Sequence, residues 1–266
     1  MITTKLLGGL SNQMFQIAAI QSLAWKHGDE CAFPFDRTEM GQGKPVRAYI
    51  KNVFRNIKEL PRNFRPQYIY DEPIVNGQLQ LNYKPIPYRK FMQARGYFPS
   101  EKYFADYKKE IIQMYKAGDL IEKVQTDFEK SFPLKNSVSI HVRRGDYLLS
   151  RDFLTVLPLF YYQRAIREVE RQRQIDIILM FSDDIEWCKL NFNDKRMVFI
   201  EGHPDYEDLY LMSLCENHII ANSGFSWWGS YLNESEDKIV VAPKKWFGVN
   251  GPAGFYDQYL PTMIQV

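Results

Sequence analysis

The chain has 266 residues, 45% hydrophobic and 15% aromatic, enough to bury one large core or two smaller ones. A net charge of +2 with no dominant basic run argues against a nucleic-acid binder, and no stretch reaches the roughly 18 apolar residues of a membrane span. Three scattered cysteines, Cys31, Cys188 and Cys215, fit a reducing compartment and offer no metal cage.

Ile2–Leu7 reads as a first strand. Gly8-Gly9-Leu10-Ser11-Asn12-Gln13 follows, then a largely apolar helix, Met14–Lys26, capped at His27-Gly28. Strand, double glycine, helix is the layout of a ligand-facing turn, with Asn12 and Gln13 adding donors. Structural punctuation and N-capping explain the same residues. Residues 35–100, rich in proline, aromatics and basic side chains, read as irregular loops with short helices. Such loops either carry substrate contacts or cap a core. Helical spacing runs from Tyr103 to about Lys130 with a break near Gly118, and Phe132-Pro133 marks the expected domain boundary.

From Ser137 the pattern becomes regular. Strands at 137–143, Ile175–Phe181, Met197–Ile200, His218–Ala221 and Lys238–Ala242 alternate with helices at about 158–173, 184–191, 205–215 and 226–233. That alternation predicts an α/β fold with a parallel, doubly wound sheet. The polar clusters all follow strands: His141 and Arg143-Arg144-Gly145-Asp146, Ser182-Asp183-Asp184, Glu201–Pro204, Asn222-Ser223-Gly224-Phe225-Ser226, and Pro243–Lys245. Carboxyl ends of strands are where open α/β sheets bind ligands. Arginine forks facing a hydroxyl-rich helix start suit a diphosphate. Side chains alternate along an extended strand, so Arg143 and Arg144 point to opposite sides, one reaching into a crevice and the other bracing it. An Arg–Asp surface bridge explains this cluster equally well. Asp183 or Asp184 suits ribose hydroxyls or a base; the competing roles are capping of helix 184–191 by Ser182 and Asp183, and a metal held by Asp183-Asp184. Trp227-Trp228 reads as core, His203 as a loop residue and His218 as structural.

His141-Val-Arg-Arg-Gly-Asp-Tyr147 resembles the first motif of the GDP-fucose-dependent α-1,2-fucosyltransferases of glycosyltransferase family 11. Gly8–Gln16 is similar to that family's N-terminal signature, and Gly96–Phe104, Phe181–Asp184 and Asn222–Gly229 match further blocks in order. Ser11, Pro99, Ala221, Gly224, Ser230 and Tyr231 depart from the usual pattern. Gly224 removes one hydroxyl from the nucleotide-facing block.

The resemblance implies a GT-B-like variant, two Rossmann-like domains facing each other across a cleft. The expected division is an acceptor-side domain at 1–133, a GDP-fucose-binding domain at 134–245 and a tail at 246–266 packing back on the first. It also implies inverting transfer of L-fucose from GDP-fucose to a galactoside hydroxyl without a metal or cofactor. Arg143, Arg144, Asp146 and His141 would be the catalytic group, with Asp146 the candidate proton acceptor or a structural residue. Gly8, Gly9, Asn12, Gln13, Ser182, Asp183, Asp184, Asn222, Ser223, Phe225 and Ser226 would bind the donor. Arg37, Tyr88 and Arg95 are the expected acceptor contacts, the acceptor being a galactose-terminated oligosaccharide or glycolipid. The expected location is cytoplasmic, with peripheral contact at the inner face of a bacterial membrane open. A fucosyltransferase of other linkage and a non-catalytic nucleotide-sugar-binding module are the alternatives. A kinase or phosphatase is disfavoured, since the chain has neither a phosphate-binding Gly-rich Lys-Ser/Thr loop nor a nucleophile elbow.

Overall fold

The computed structural model describes residues 1–36, 43–75, 78–116, 118–130, 132–252 and 255–266. The chain divides into two compact units, Met1–Ala117 with Pro252–Leu260, and Gly118–Gly251 with Pro261–Val266. The N-terminal segment thus ends at the helix break near Gly118 and not at the expected 133. The C-terminal tail is split, its middle part Pro252–Leu260 grouped with the first unit and the residues on either side of it with the second.

The first unit runs β1 (Thr3–Lys5), α1 (Leu10–Lys26), β2 (Tyr68–Asp71), β3 (Ile74–Val75), β4 (Gln78–Leu79), β5 (Met92–Arg95) and α2 (Lys108–Tyr115). β1, β5 and β2 form a parallel sheet in that order, and β3 pairs with β4 as an antiparallel hairpin. The stretch expected to be irregular therefore supplies the central strand and one edge strand of this sheet. Its strands are no more than four residues long and flanked by turns and prolines, with no regular alternation with helices to mark them. α1 buries most of its residues between Leu10 and Ala24, consistent with its largely apolar sequence. It closes at His27 and at Gly28, whose φ of 59° suits glycine.

The second unit begins with α3 (Gly118–Glu129) and continues β6 (Ser137–Val142), α4 (Leu159–Glu170), β7 (Ile177–Ser182), α5 (Ile185–Asn191) and β8 (Met197–Phe199). It finishes with α6 (Asp205–Leu214), β9 (Asn217–Ile219), α7 (Gly224–Leu232), β10 (Val240–Ala242) and β11 (Met263–Gln265). The sheet order is β11-β10-β9-β6-β7-β8, every pairing parallel. Counted in chain order this is 3-2-1-4-5-6, the arrangement of dinucleotide-binding sheets, whose switch point lies between β6 and β9. Sequence spacing does not reveal β11, because its three residues follow an irregular tail.

β6 is buried along its whole length, as a central strand covered on both faces must be. Val138, Ile140 and Val142 pack with Tyr161, Tyr162, Ala165 and Val169 of α4. Ser139 and His141 take the other face. There Ser139 Oγ lies 2.9 Å from His218 Nδ1, and Asn233 donates its amide to His218 Nε2 at 3.2 Å. An amide nitrogen only donates, so Nε2 accepts and the ring is the neutral Nδ1–H form. Trp227 and Trp228 are fully buried, Trp227 stacking on Tyr231 at 4.6 Å, which makes them core residues. Among the described residues no helix is long and apolar enough to cross a membrane.

Burial and the nearby Lys238 charge push the His218 imidazole down to about 3. The folded state holds it neutral, while an unfolded chain takes up a proton below about 6.5. His218 thus contributes stability that is complete above pH 6.5 and drains away as pH falls toward 3. In melts across that window, the melting temperature of His218→Gln should fall less steeply with acid than that of the wild-type chain. Parallel curves for the two would contradict this.

Candidate active site

Val142 pairs with Ser182 in the β6–β7 register, so the residues that follow the two strands emerge side by side. Arg143 Nε lies 3.1 Å from Asp183 Oδ2, and its Nη2 donates to Asp146 Oδ1 at 2.6 Å. Arg144 donates its backbone N–H to Asp183 Oδ1 at 2.8 Å and its Nε to Asp184 Oδ2 at 2.9 Å. The Arg144 guanidinium also lies 3.8 Å from the centre of the Trp187 ring, a cation–π contact. Gly145 is required here by close approach, since a Cβ would stand 2.7 Å from Asp183 Oδ2. Asp184, not Asp183, caps α5, accepting from Trp187 N at 3.4 Å, while Ser182 Oγ accepts from Asp184 N at 2.9 Å.

At the switch point β6 meets the start of α7. His141 is buried, its ring 5.6 Å from that of Phe225. Burial, and secondarily the Arg143 charge, push the imidazole down to about 3, so it is a neutral hydrogen-bonding group and not a base at working pH. Its Nδ1 has no partner among the described residues, and neither has the buried Oδ1 of Asn222. Two orphaned polar atoms at the switch point are what a polar ligand would satisfy. The Asn222 amide nitrogen is fixed by the carbonyls of Thr155 and Trp246 at 2.8 and 2.6 Å, and Tyr147 Oη donates to the Asn222 carbonyl at 2.9 Å. Ser223 caps α7 by accepting from Phe225 N at 3.3 Å. Ser226 Oγ accepts from Ala221 N at 3.2 Å and donates to the Ser223 carbonyl at 3.3 Å. Both hydroxyls therefore shape the turn first.

In the first unit Gly8 has a φ of 72°, and a Cβ there would collide with the Asn12 amide. Gln13 is fully buried and donates to the carbonyls of Gly8 and Lys44 at 3.1 and 2.9 Å, locking the Gly8-Gly9 turn against the segment at 44. Arg37 lies outside the described residues. Tyr88 stacks on His27 at 4.0 Å and donates to Asp29 at 3.1 Å, before the amino end of β5. Arg95 stands at the carboxyl end of the same strand, held by Asp71 through two bonds of 2.7 Å. Tyr88 and Arg95 thus stand toward opposite ends of β5. The length of β5 separates them, a distance the loop-like sequence conceals.

The second unit also holds a cavity of about 440 Å³, lined by Arg144, Arg151, Thr155, Trp187, Lys245 and Val249 among others. Motif spacing does not point to Trp187 or Thr155 as lining residues. The one signal for Trp187 is its place in the first turn of the helix that Asp184 caps. Among the described residues no three His, Cys, Asp or Glu side chains converge as a metal site would require.

The glycosyl transferase family 11 model matches residues 1–261. The chain belongs to glycosyl transferase family 11. It is 30% identical to the O-antigen biosynthesis glycosyltransferase WbnK of Escherichia coli, over 92% of this chain and 94% of that one. An alpha-1,2-colitosyltransferase of the same organism is 28% identical over 92% of each. The galactoside alpha-(1,2)-fucosyltransferase 2 of Sus scrofa is 23% identical over 89% of this chain and 71% of its own. In fold, the family 11 chain is similar to the NodZ alpha-1,6-fucosyltransferase soaked with GDP-fucose, with a TM-score of 0.53 at 13% identity over 87% and 92% of the two chains. It is also similar to POFUT1 in complex with GDP, with a TM-score of 0.55 at 10% identity over 91% and 97%. These likenesses place the chain in the GT-B-like α/β class expected from its sequence.

If Arg143 faces the charge that develops during transfer, Arg143→Ala should lower kcat by about 10²–10³ with the fold intact. Trp187→Leu should leave Arg143 in place and lower kcat less, by loosening Arg144. Near-normal turnover in Arg143→Ala, measured beside a circular dichroism spectrum, would remove this residue from the chemistry.

Proposed function

We propose that this family 11 enzyme transfers L-fucose from GDP-fucose, with inversion, to the 2-hydroxyl of a galactoside. The observation that carries the reading is the convergence of Arg143, His141 Nδ1, Asn222 Oδ1 and the start of α7 at the β6–β9 switch point. The departing GDP leaves charge on its diphosphate, and fixed cations and helix N–H groups stabilise that charge as it forms. Asp183 and Asp184 are engaged by arginines, which suits a mechanism that uses no divalent cation. Asp146 holds Arg143 through Oδ1, while Oδ2 has no partner among the described residues and can accept the proton of the attacking hydroxyl. The galactose-terminated acceptor, which the similarity to galactoside-directed members of the family supports, is proposed on the same footing.

A second donor is favoured by one observation, the similarity to a colitosyltransferase. Colitose is the 3-deoxy counterpart of fucose, so the two donors differ by a single hydroxyl. Side-by-side turnover with GDP-fucose and GDP-colitose on a panel of galactosides decides between them. GDP-fucose should be the better donor and the product should be α-1,2-linked. A preference for GDP-colitose, or another linkage, would overturn the finer assignment.

Activity should persist in EDTA, and Asp146→Asn should lower kcat by about 10²–10⁴ while GDP affinity holds. Loss of activity on chelation, restored by manganese, would contradict the cation-free reading. Full activity of Asp146→Asn would remove it as the proton acceptor.

A further inference from the structure

We propose that the 440 Å³ cavity is a second anion site, separate from the donor crevice, which takes the phosphate or carboxylate of a charged acceptor. The word acceptor rests on the transferase reading; the site itself rests on the following geometry.

Two loops build the cavity and hold each other in place. Leu154 bridges antiparallel to Phe247, Gly248 N donates to the Phe153 carbonyl at 3.0 Å, and Asn250 N donates to the Asp152 carbonyl at 2.8 Å. Gly248 permits the approach, because a Cβ there would strike the Asp152 carbonyl. The loop after β6 and the loop after β10 therefore form one braced wall.

That wall is cationic. Arg151 and Lys245 line it, and neither has an acidic partner among the described residues, although Arg143, Arg144 and Lys189 nearby are all paired. Arg144 supplies a third cation. Asp184 holds its Nε and Trp187 its flat face, so its terminal amino groups have no partner among the described residues. Asp152 is the one acidic side chain in the described lining. Thr155 Oγ1 also lines the cavity, buried and without a partner among the described residues. Pro158 leads into α4, whose first turn has no side-chain cap and no acidic residue, so the field of that helix end is uncompensated. Three cations, a waiting hydroxyl and a bare helix start favour an oxyanion group.

Strand alternation turns this site away from His141, while the Asn222 amide, bonded to the Thr155 carbonyl, adjoins both regions. His141 belongs to the β6 face that carries Ser139, and it meets Phe225 of α7. Arg144 continues the opposite register, that of Ile140 and Val142, which pack toward α4. It accordingly lies beside Trp187 and the approach to that helix. The nucleotide and the second anion would thus approach the same carboxyl rim from two faces.

The test uses the intact protein and inorganic pyrophosphate as the probe. Calorimetry on protein saturated with GDP should show about one further equivalent of pyrophosphate bound, and the double variant Arg151→Ala/Lys245→Ala should weaken it by about tenfold or more without changing GDP affinity. Both side chains are exposed, so the variant should fold normally. With galactosides that differ only in carrying or lacking a phosphate, the wild-type chain should show a lower KM for the charged one, and the double variant should lose that difference. Failure of pyrophosphate to bind GDP-loaded protein would overturn the separate site. So would a parallel loss of GDP affinity in the variant, which would make the cavity part of the donor crevice. Equal KM values for the two galactosides in the wild-type chain would overturn the acceptor assignment. Failure of GDP itself to bind would count against the donor reading, leaving pyrophosphate alone to report on the cavity.

Discussion

Two arginines at the end of one strand are held by two aspartates at the end of the next, and the rim of the second unit depends on that arrangement. Adjacent guanidinium groups repel each other and would otherwise sample many rotamers. Asp183 meets the side chain of Arg143 and the backbone of Arg144, while Asp184 meets the Arg144 side chain. All four groups are partly exposed, so the ion pairs contribute little net stability. Their value is positional. They fix two forks in different directions and leave the outward donors of each available.

The sheet register puts the site where it is. Parallel pairing of β6 with β7 on one side and β9 on the other brings the ends of all three strands together. Gly145 and Gly248 then allow the loops beyond them to pack closely. His141 and Asn222 are left with buried atoms that lack partners among the described residues. An unsatisfied buried group costs about 1–3 kcal/mol, a cost that a bound ligand can offset.

Much of the second unit is legible in the sequence because apolar runs alternate regularly with helical stretches, even where β8, β9 and β10 keep only three residues each. Strands at 137–142 and 177–182 and the helix from 159 fall close to where hydrophobic spacing puts them. The alternation rule also separates Arg143 from Arg144. β2 and β5 are illegible because they lie among turns and prolines with no regular strand–helix alternation around them, and their sheet is evident only from pairing across the chain. Tyr88 and Arg95 look like neighbours for the same reason. Trp187 and Thr155 give little signal as site residues, since an aromatic in a helix and a threonine in a loop have ordinary structural roles. Their importance comes from what packs beside them.

A crystal structure of the protein with GDP tests the central claim most directly. The diphosphate should lie within hydrogen-bonding distance of Arg143 and the first turn of α7, with His141 Nδ1 or Asn222 Oδ1 gaining a partner from the nucleotide. A diphosphate seated instead among Arg151, Thr155 and Lys245, with those two atoms still unpartnered, would contradict it.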